Sequence, residues 1–201
     1  INMYQNFFKR LFDIIIGLIA LPFVLIIIAV VAPFIYFTDK GPIFYNGKRI
    51  GRDGHLFAMY KFRSMYVNAP DIRLKDGSTY NGDDDPRVTK IGRFLRNTSL
   101  DEVPQFLNVL IGDMSFVGNR PDTPYMLSKY TEEQRIILKC KPGITGYNQA
   151  YYRNSVEIGT KIRNDVYYVQ HVSFWFDVKI ILKTIKTVLF RENITVDQNR
   201  M

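Results

Sequence analysis

From Leu11 to Phe37 the chain is apolar almost without interruption, broken by Asp13 near its start and by Pro22 and Pro33. At about 27 residues the run exceeds the ~20 that a straight helix needs to cross a hydrocarbon core, so the pattern assigns it to a bilayer. A secretory signal has an apolar region of only ~7–15 residues, closed by a small-residue cleavage site, and neither feature is present. Lys9 and Arg10 precede the run, and Lys40, Lys48, Arg49 and Arg52 follow it. The positive-inside tendency therefore draws both ends to the cytoplasmic side. Pro22, near the middle, removes a helix hydrogen bond and favours a kink. Together these features predict a re-entrant, hairpin-like membrane helix with its flanks over residues 1–40, the alternative being a spanning anchor with a proline kink. Residues 41–201 are then one integrated domain at the cytoplasmic face.

Beyond the run the pattern shortens. Gly41-Pro42-Ile43-Phe44-Tyr45 reads as a turn into a strand, and His55 to Phe62 alternates as a second strand should, which predicts a small hairpin. Gly47, Gly51 and Gly54 between them lack the Lys-Ser/Thr that follows a phosphate-cradling loop and read as turn glycines. Val67 to Lys90 is a polar loop. Its Asp83-Asp84-Asp85-Pro86-Arg87 run suits a solvated segment or a partial cation site. Ile91 to Leu95 and Val103 to Ile111 have helical apolar spacing, and Thr131 to Leu138 reads as a helix with Glu132 and Glu133 in its first turn. In Phe174 to Leu189 the lysines at 179, 183 and 186 fall on one stripe. Such a helix can lie in a membrane interface or pack on the protein's own core. The fold class is mixed α/β and helix-rich, with a small β-hairpin, an N-terminal re-entrant membrane helix and amphipathic interfacial helices.

Charge narrows the partners. A formal net charge of +8 over 201 residues suits nucleic acid, an anionic membrane surface or a phosphorylated substrate, without choosing among them. Cys140 is the single cysteine, which excludes an intramolecular disulfide and a cysteine-based zinc site and suits a buried, inert thiol. His55 and His171 lack the spacing of a histidine metal site or a Ser-His relay.

The residues with chemical potential centre on Arg96-Asn97-Thr98-Ser99-Leu100-Asp101-Glu102-Val103-Pro104-Gln105. Ser99 and Glu102 have capping-box spacing, so one reading is a well-capped helix start. The other is a phosphate site, because a helix N-terminus attracts phosphate, provided cations offset the carboxylates. Lys61, Arg63, Arg93, Arg96 and Arg120 are available for that, and Mg²⁺ held by one or two carboxylates with substrate phosphates would screen the rest. An aspartate can also attack phosphorus and divide a transfer into two steps.

At these residues the chain resembles the bacterial sugar transferases, the small monotopic phosphoglycosyl transferases that act on polyprenyl phosphate. The likeness runs through Lys9-Arg10-Leu11-Phe12-Asp13, Gly41-Pro42-Ile43-Phe44, Tyr60-Lys61-Phe62-Arg63-Ser64-Met65 and Asp85 to Arg93. It continues through Leu95 to Gln105, Gly112 to Gly118, Lys141-Pro142-Gly143-Ile144-Thr145-Gly146 and Ser173 to Lys179. The resemblance implies a catalytic domain at the cytoplasmic face of the bacterial inner membrane. It would transfer a sugar 1-phosphate from a UDP-sugar to undecaprenyl phosphate in two steps, release UMP and begin surface glycan assembly. By the same resemblance Asp101 and Glu102 are catalytic, Asp101 carries the phosphosugar and binds Mg²⁺, Lys61, Arg96 and Arg120 surround substrate phosphate and Arg153 belongs to the substrate site; Arg63 joins them as a candidate phosphate contact from the set of available cations. Membrane lipid is implied as a partner and nucleic acid is not; a non-enzymatic membrane protein that binds anionic lipid or nucleic acid is the competing class. Two positions depart from the family pattern: Leu21 stands where serine often precedes the kink proline, and Asn119 where proline is common before the arginine. The chain lacks the extra N-terminal spans of larger members and resembles the minimal catalytic form.

Overall fold

The structure, a computed structural model, describes residues 3–72, 80, 82, 84–152 and 156–189. The apolar run forms helix α1, Lys9–Asp39, entered through a π-helical turn over Tyr4–Phe8. Its 31 residues give a contour of about 46 Å. Pro22 and Pro33 both lie inside it, and the expected kink at Pro22 leaves no break in the helix. The helix ends where Lys40 turns left-handed, with its N–H donating to the Tyr36 carbonyl at 2.7 Å, ahead of Gly41-Pro42.

One stripe of α1 is buried along its whole length: Lys9, Asp13, Gly17, Val24, Val31 and Ile35, at intervals of four and seven residues. The opposite face, including Leu18, Ile19, Phe23, Ile26, Phe34 and Phe37, is exposed and apolar. At the start of the helix Lys9 pairs with Asp177, Arg10 donates to the Val109 and Leu110 carbonyls at 2.5 and 2.8 Å, and Asp13 accepts from Ser115 Oγ and the Phe116 N–H at 3.0 Å each. At its far end Val31 and Ile35 pack with Phe62 and Leu95. Both ends thus rest on the same folded domain.

In that domain β1, Phe44–Ile50, pairs antiparallel with β2, Leu56–Phe62, with Phe44 opposite Phe62 and Ile50 opposite Leu56. The hairpin is as expected, but β1 is longer than the pattern suggested. Gly47 therefore lies inside the strand; Gly54, at φ 81° in the connecting turn, is the glycine there that requires a left-handed backbone. Helix α2, Lys90–Thr98, begins with Thr89 Oγ1 accepting from the Gly92 N–H, and α3, Gln105–Ile111, follows a 3-10 turn over Leu100–Glu102. A second small sheet, β3 (Ser115–Val117) parallel to β4 (Gly143–Thr145), was not anticipated. Helices α4 (Tyr147–Tyr151), α5 (Ile158–Gln170) and α6 (Phe174–Leu189) follow.

Other expectations are corrected. Thr131 to Leu138 is not an α-helix; Thr131 and Gln134 cap each other, and a 3-10 segment over Gln134–Lys139 stops at extended Cys140 before Pro142. Asp85 is neither solvated nor free for a cation, because it is fully buried and held by Arg87 Nε and Nη2 at 2.9 and 2.7 Å. Asp83 lies outside the described residues. Helix α6 packs inward through Asp177, Ile180 and Thr187. Its outer side mixes Trp175 and Leu182, 72% and 62% exposed, with exposed Lys179 and Lys186.

Candidate active site

The carboxylate pair does not cap an α-helix. Ser99 adopts φ 59° and ends α2, its N–H donating to the Arg96 carbonyl, and its side chain caps nothing. The expected Ser99–Glu102 capping box is therefore absent: a left-handed residue cannot present its hydroxyl to the next turn as an extended N-cap does. Asp101 and Glu102 sit instead on the 3-10 turn between α2 and α3, which Pro104 separates from the first residue of α3. Their position is set by Asn108 of α3. Asn108 is wholly buried, accepts from the Tyr60 N–H and donates to the Ala58 carbonyl, both at 2.8 Å. The side chain thus pairs with the β2 backbone as a neighbouring strand would, and fixes α3 beside the strand that carries Lys61.

Four predicted residues meet here. Lys61 Nζ lies 2.6 Å from Glu102 Oε1 and 3.8 Å from Asp101 Oδ2. Arg120, from the loop after β3, donates through Nη2 to Glu102 Oε1 at 2.7 Å and through Nη1 to Oε2 at 3.4 Å. Glu102 is thus saturated by two cations. Burial alone would raise its carboxyl, but the charges of Arg120 and Lys61 and their hydrogen bonds outweigh burial and hold it well below the ordinary glutamate range. Asp101 is buried and, among the described residues, has no donor within hydrogen-bonding distance. Burial pushes its carboxyl above the ordinary aspartate range; Lys61 opposes the shift and Glu102 adds to it.

Arg96 stands at the edge of this cluster. Its Nε donates to Ser64 Oγ at 2.9 Å, and its charge acts on Asp101 without an ion pair. Arg63 is placed differently: its guanidinium takes both oxygens of Asp39 at 2.6 Å and bonds the Pro42 and Met65 carbonyls, which ties the end of α1 to the hairpin. The candidate phosphate contact of Arg63 is committed to structure. Arg153 lies outside the described residues. Sequence reasoning passed over Ser64, Gln105 and Asn108. Asn108 was visible as a polar residue inside the apolar stripe of α3. Gln105 Nε2 and Asn119 Oδ1, adjoining the pair and Arg120 in the chain, are buried without a hydrogen-bond partner among the described residues.

Mg²⁺ commonly takes one or two protein carboxylates together with substrate phosphates. Glu102 is occupied by its cations, whereas Asp101 accepts no hydrogen bond among the described residues, so Asp101 could hold such an ion when a diphosphate supplies the other oxygens. With Lys61, Arg96 and Arg120 against two carboxylates, the cluster has one positive charge in excess for an anionic substrate.

The family described as bacterial sugar transferase matches residues 4–191 of the chain. The galactosyl transferase CpsE of Streptococcus agalactiae is 45% identical over 190 residues, covering 90% of this chain and 42% of CpsE. The undecaprenyl-phosphate galactose phosphotransferase of Salmonella typhimurium is 39% identical, covering 94% of this chain and 42% of that protein. The exopolysaccharide production protein ExoY of Sinorhizobium fredii is 38% identical, covering 90% of this chain and 84% of ExoY. The chain thus spans less than half the length of the first two relatives and most of the third.

Proposed function

Since the chain belongs to the bacterial sugar transferase family, we propose that it moves a sugar 1-phosphate from a UDP-sugar to polyprenyl phosphate through a phosphosugar carried on Asp101. The observation that carries the reading is the division of labour within the pair: Glu102 is held by Lys61 and Arg120, whereas Asp101, among the described residues, faces only Lys61 at 3.8 Å and accepts no hydrogen bond. In the first step an Asp101 oxygen attacks the phosphorus that bears the sugar, the bond to the UMP oxygen breaks, and UMP leaves with the electron pair. In the second an oxygen of polyprenyl phosphate attacks the same phosphorus and expels the Asp101 carboxylate, giving polyprenyl diphosphosugar. No net proton transfer is required. This suits a Glu102 that stays ionised at neutral pH and serves to fix Lys61 and Arg120 rather than to shuttle protons.

Lys61 has two effects on Asp101. Its charge favours the ionised, nucleophilic form against burial, and at 3.8 Å it sits where charge moves from carboxylate to phosphate. Arg120 and Arg96 offset diphosphate charge. Mg²⁺, when bound, would screen the diphosphate and polarise its oxygens, with Asp101 as its protein ligand.

The membrane arrangement belongs to the same proposal: a monotopic protein at the cytoplasmic face of the inner membrane, its helix entering and leaving on one side. Contacts at the two ends of α1 support it. Lys9 and Asp13 bind Asp177 and Ser115, while Ile35 and Asp39 bind Leu95 and Arg63. A straight span would carry one of these sets across a ~30 Å hydrocarbon core, away from the domain that both contact.

The test is nucleotide release from a panel of UDP-sugars with undecaprenyl phosphate and Mg²⁺, the protein being held in nanodiscs. UMP, dependent on one donor and lost with EDTA, is the expected result. UDP instead would mean transfer of the sugar without its phosphate and would refute the reading.

A further inference from the structure

At the tip of the hairpin, away from the carboxylate pair, lies a second basic site. A hollow of about 100 Å³ is lined by Gly51, Arg52, His55, Phe57, Gly112, Asp113 and Lys141. That is room for several waters, and so for a five-atom tetrahedral oxyanion. Phe57 and Lys61 are four residues apart on β2, which puts the hollow about 14 Å along the strand from the carboxylates.

Two cations, Arg52 and Lys141, line it, and a third, Arg10, lies at its edge with Nη1 and Nη2 donating to the Val109 and Leu110 carbonyls. Arg52 comes from the hairpin turn, Lys141 from the segment before β4, and Arg10 from the first turn of α1. A Cβ built on Gly112 would lie 3.3 Å from Arg10 Nη2 and 3.5 Å from Lys141 Nζ, so both side chains end over that glycine. Gly112 has φ 102°, which only glycine adopts without strain, and its bare backbone leaves the floor of the hollow open. Asp113 is the one carboxylate in the lining, and it shares a 3.3 Å hydrogen bond with Asn108 Nδ2. Among the described residues Lys141 makes no ion pair. Burial lowers its affinity for a proton, and the charges of Arg10 and Arg52 act in the same direction against those of Asp13 and Asp113. The site also adjoins the start of the apolar helix: Arg10 is followed directly by exposed Leu11 and Phe12.

We propose that the hollow between Arg10, Arg52, His55 and Lys141 is a second anion site, distinct from the carboxylate pair, that binds a phosphate group. The inference does not depend on the transfer reaction. Phosphodiester headgroups of anionic lipids and free phosphate share this chemistry, and the experiment separates them.

The chain has two histidines, His55 and His171, so their imidazole resonances are readily distinguished after a His171→Gln substitution. The ¹⁵N-labelled protein, in a zwitterionic detergent at fixed ionic strength, is titrated with inorganic phosphate and, separately, with phosphatidylglycerol against phosphatidylcholine. A saturable shift of the His55 resonance is expected, with His171 unmoved. It should weaken about tenfold or more in Lys141→Gln and in Arg52→Gln, since each removes a charged donor. Arg52 is in the hairpin turn, so its variant keeps the test valid if Lys141→Gln fails to fold. A response to phosphatidylglycerol but not to phosphate supports the site as a lipid headgroup site; a response to both, or to phosphate alone, supports it as a general phosphate site. No saturable shift with either probe, or the same shift in the folded variants, overturns the proposal.

Discussion

Lys61→Met tests the electrostatics of the site most sharply. The lysine nitrogen is 3.8 Å from Asp101 Oδ2 and 2.6 Å from Glu102 Oε1. At 3.8 Å two unit charges interact by about 4 kcal/mol in a medium of effective dielectric 20 and by about 1 kcal/mol in bulk water. The two side chains are 16% and 13% exposed, so the interaction lies between these limits, and about 1.4–2.8 kcal/mol is a fair range. That corresponds to a loss of about 10- to 100-fold in kcat/KM. The loss should depend on pH. Burial already raises the Asp101 carboxyl, and Lys61 is the strongest influence opposing it. Without Lys61 the carboxyl rises further, the ionised nucleophile becomes scarcer at low pH, and the acid limb of the rate profile moves upward. Lys61→Arg keeps the charge and should restore the acid limb even where geometry still limits turnover. UMP release by the folded protein between pH 5 and 9 is the assay. A folded Lys61→Met protein with full turnover and an unmoved acid limb would refute the reasoning.

Gly92→Ala should lower the thermal midpoint in detergent, because the new Cβ would lie 1.9 Å from the Ser64 carbonyl oxygen, and overpacking of this kind costs about 1–3 kcal/mol. Turnover should fall with it, since Ser64 also holds Arg96. Arg63→Met should lower stability, through the lost bonds to Asp39, Pro42 and Met65, while leaving KM for the donor unchanged; a raised KM with unchanged stability would make Arg63 a substrate contact after all. Burial pushes the Cys140 thiol up to about 11, so iodoacetamide at pH 8 should leave the native protein unmodified and label it fully in denaturant, as mass spectrometry would report.

The apolar N-terminal helix, the hairpin and α2, α3 and α6 were legible because each carries its own signal: apolar length, alternation, or 3.6-residue spacing. Sheet β3–β4 was not, because strands of three residues are too short to display a period and their pairing joins segments 28 residues apart. Thr131 to Leu138 misled because its capping signal is real, Thr131 and Gln134 bonding each other, yet the residues that follow wind as a 3-10 segment. In the site, Asp101, Glu102, Lys61 and Arg120 were legible as residue types in separate motifs. Their separate tasks were not: Glu102 differs from Asp101 only through Lys61 and Arg120, which come from 41 and 18 residues away. Arg63 and Asp85 show the same limit. Arg63 resembles a phosphate ligand until Asp39 is placed against it, and Asp85 resembles a solvated acid until Arg87 is.

The central claim is that Asp101 becomes covalently bonded to the phosphosugar. The direct measurement is a single-turnover reaction without polyprenyl phosphate, using a donor labelled in the sugar and in the phosphate next to it. The account predicts a burst of UMP of about one equivalent per folded protein and a matching adduct that intact-protein mass spectrometry detects and peptide mapping assigns to Asp101. Both should be absent in Asp101→Asn, and undecaprenyl phosphate should chase the label into lipid. Turnover with acceptor present, but with neither a burst nor an adduct in its absence, would contradict the account and point to direct transfer between the two substrates.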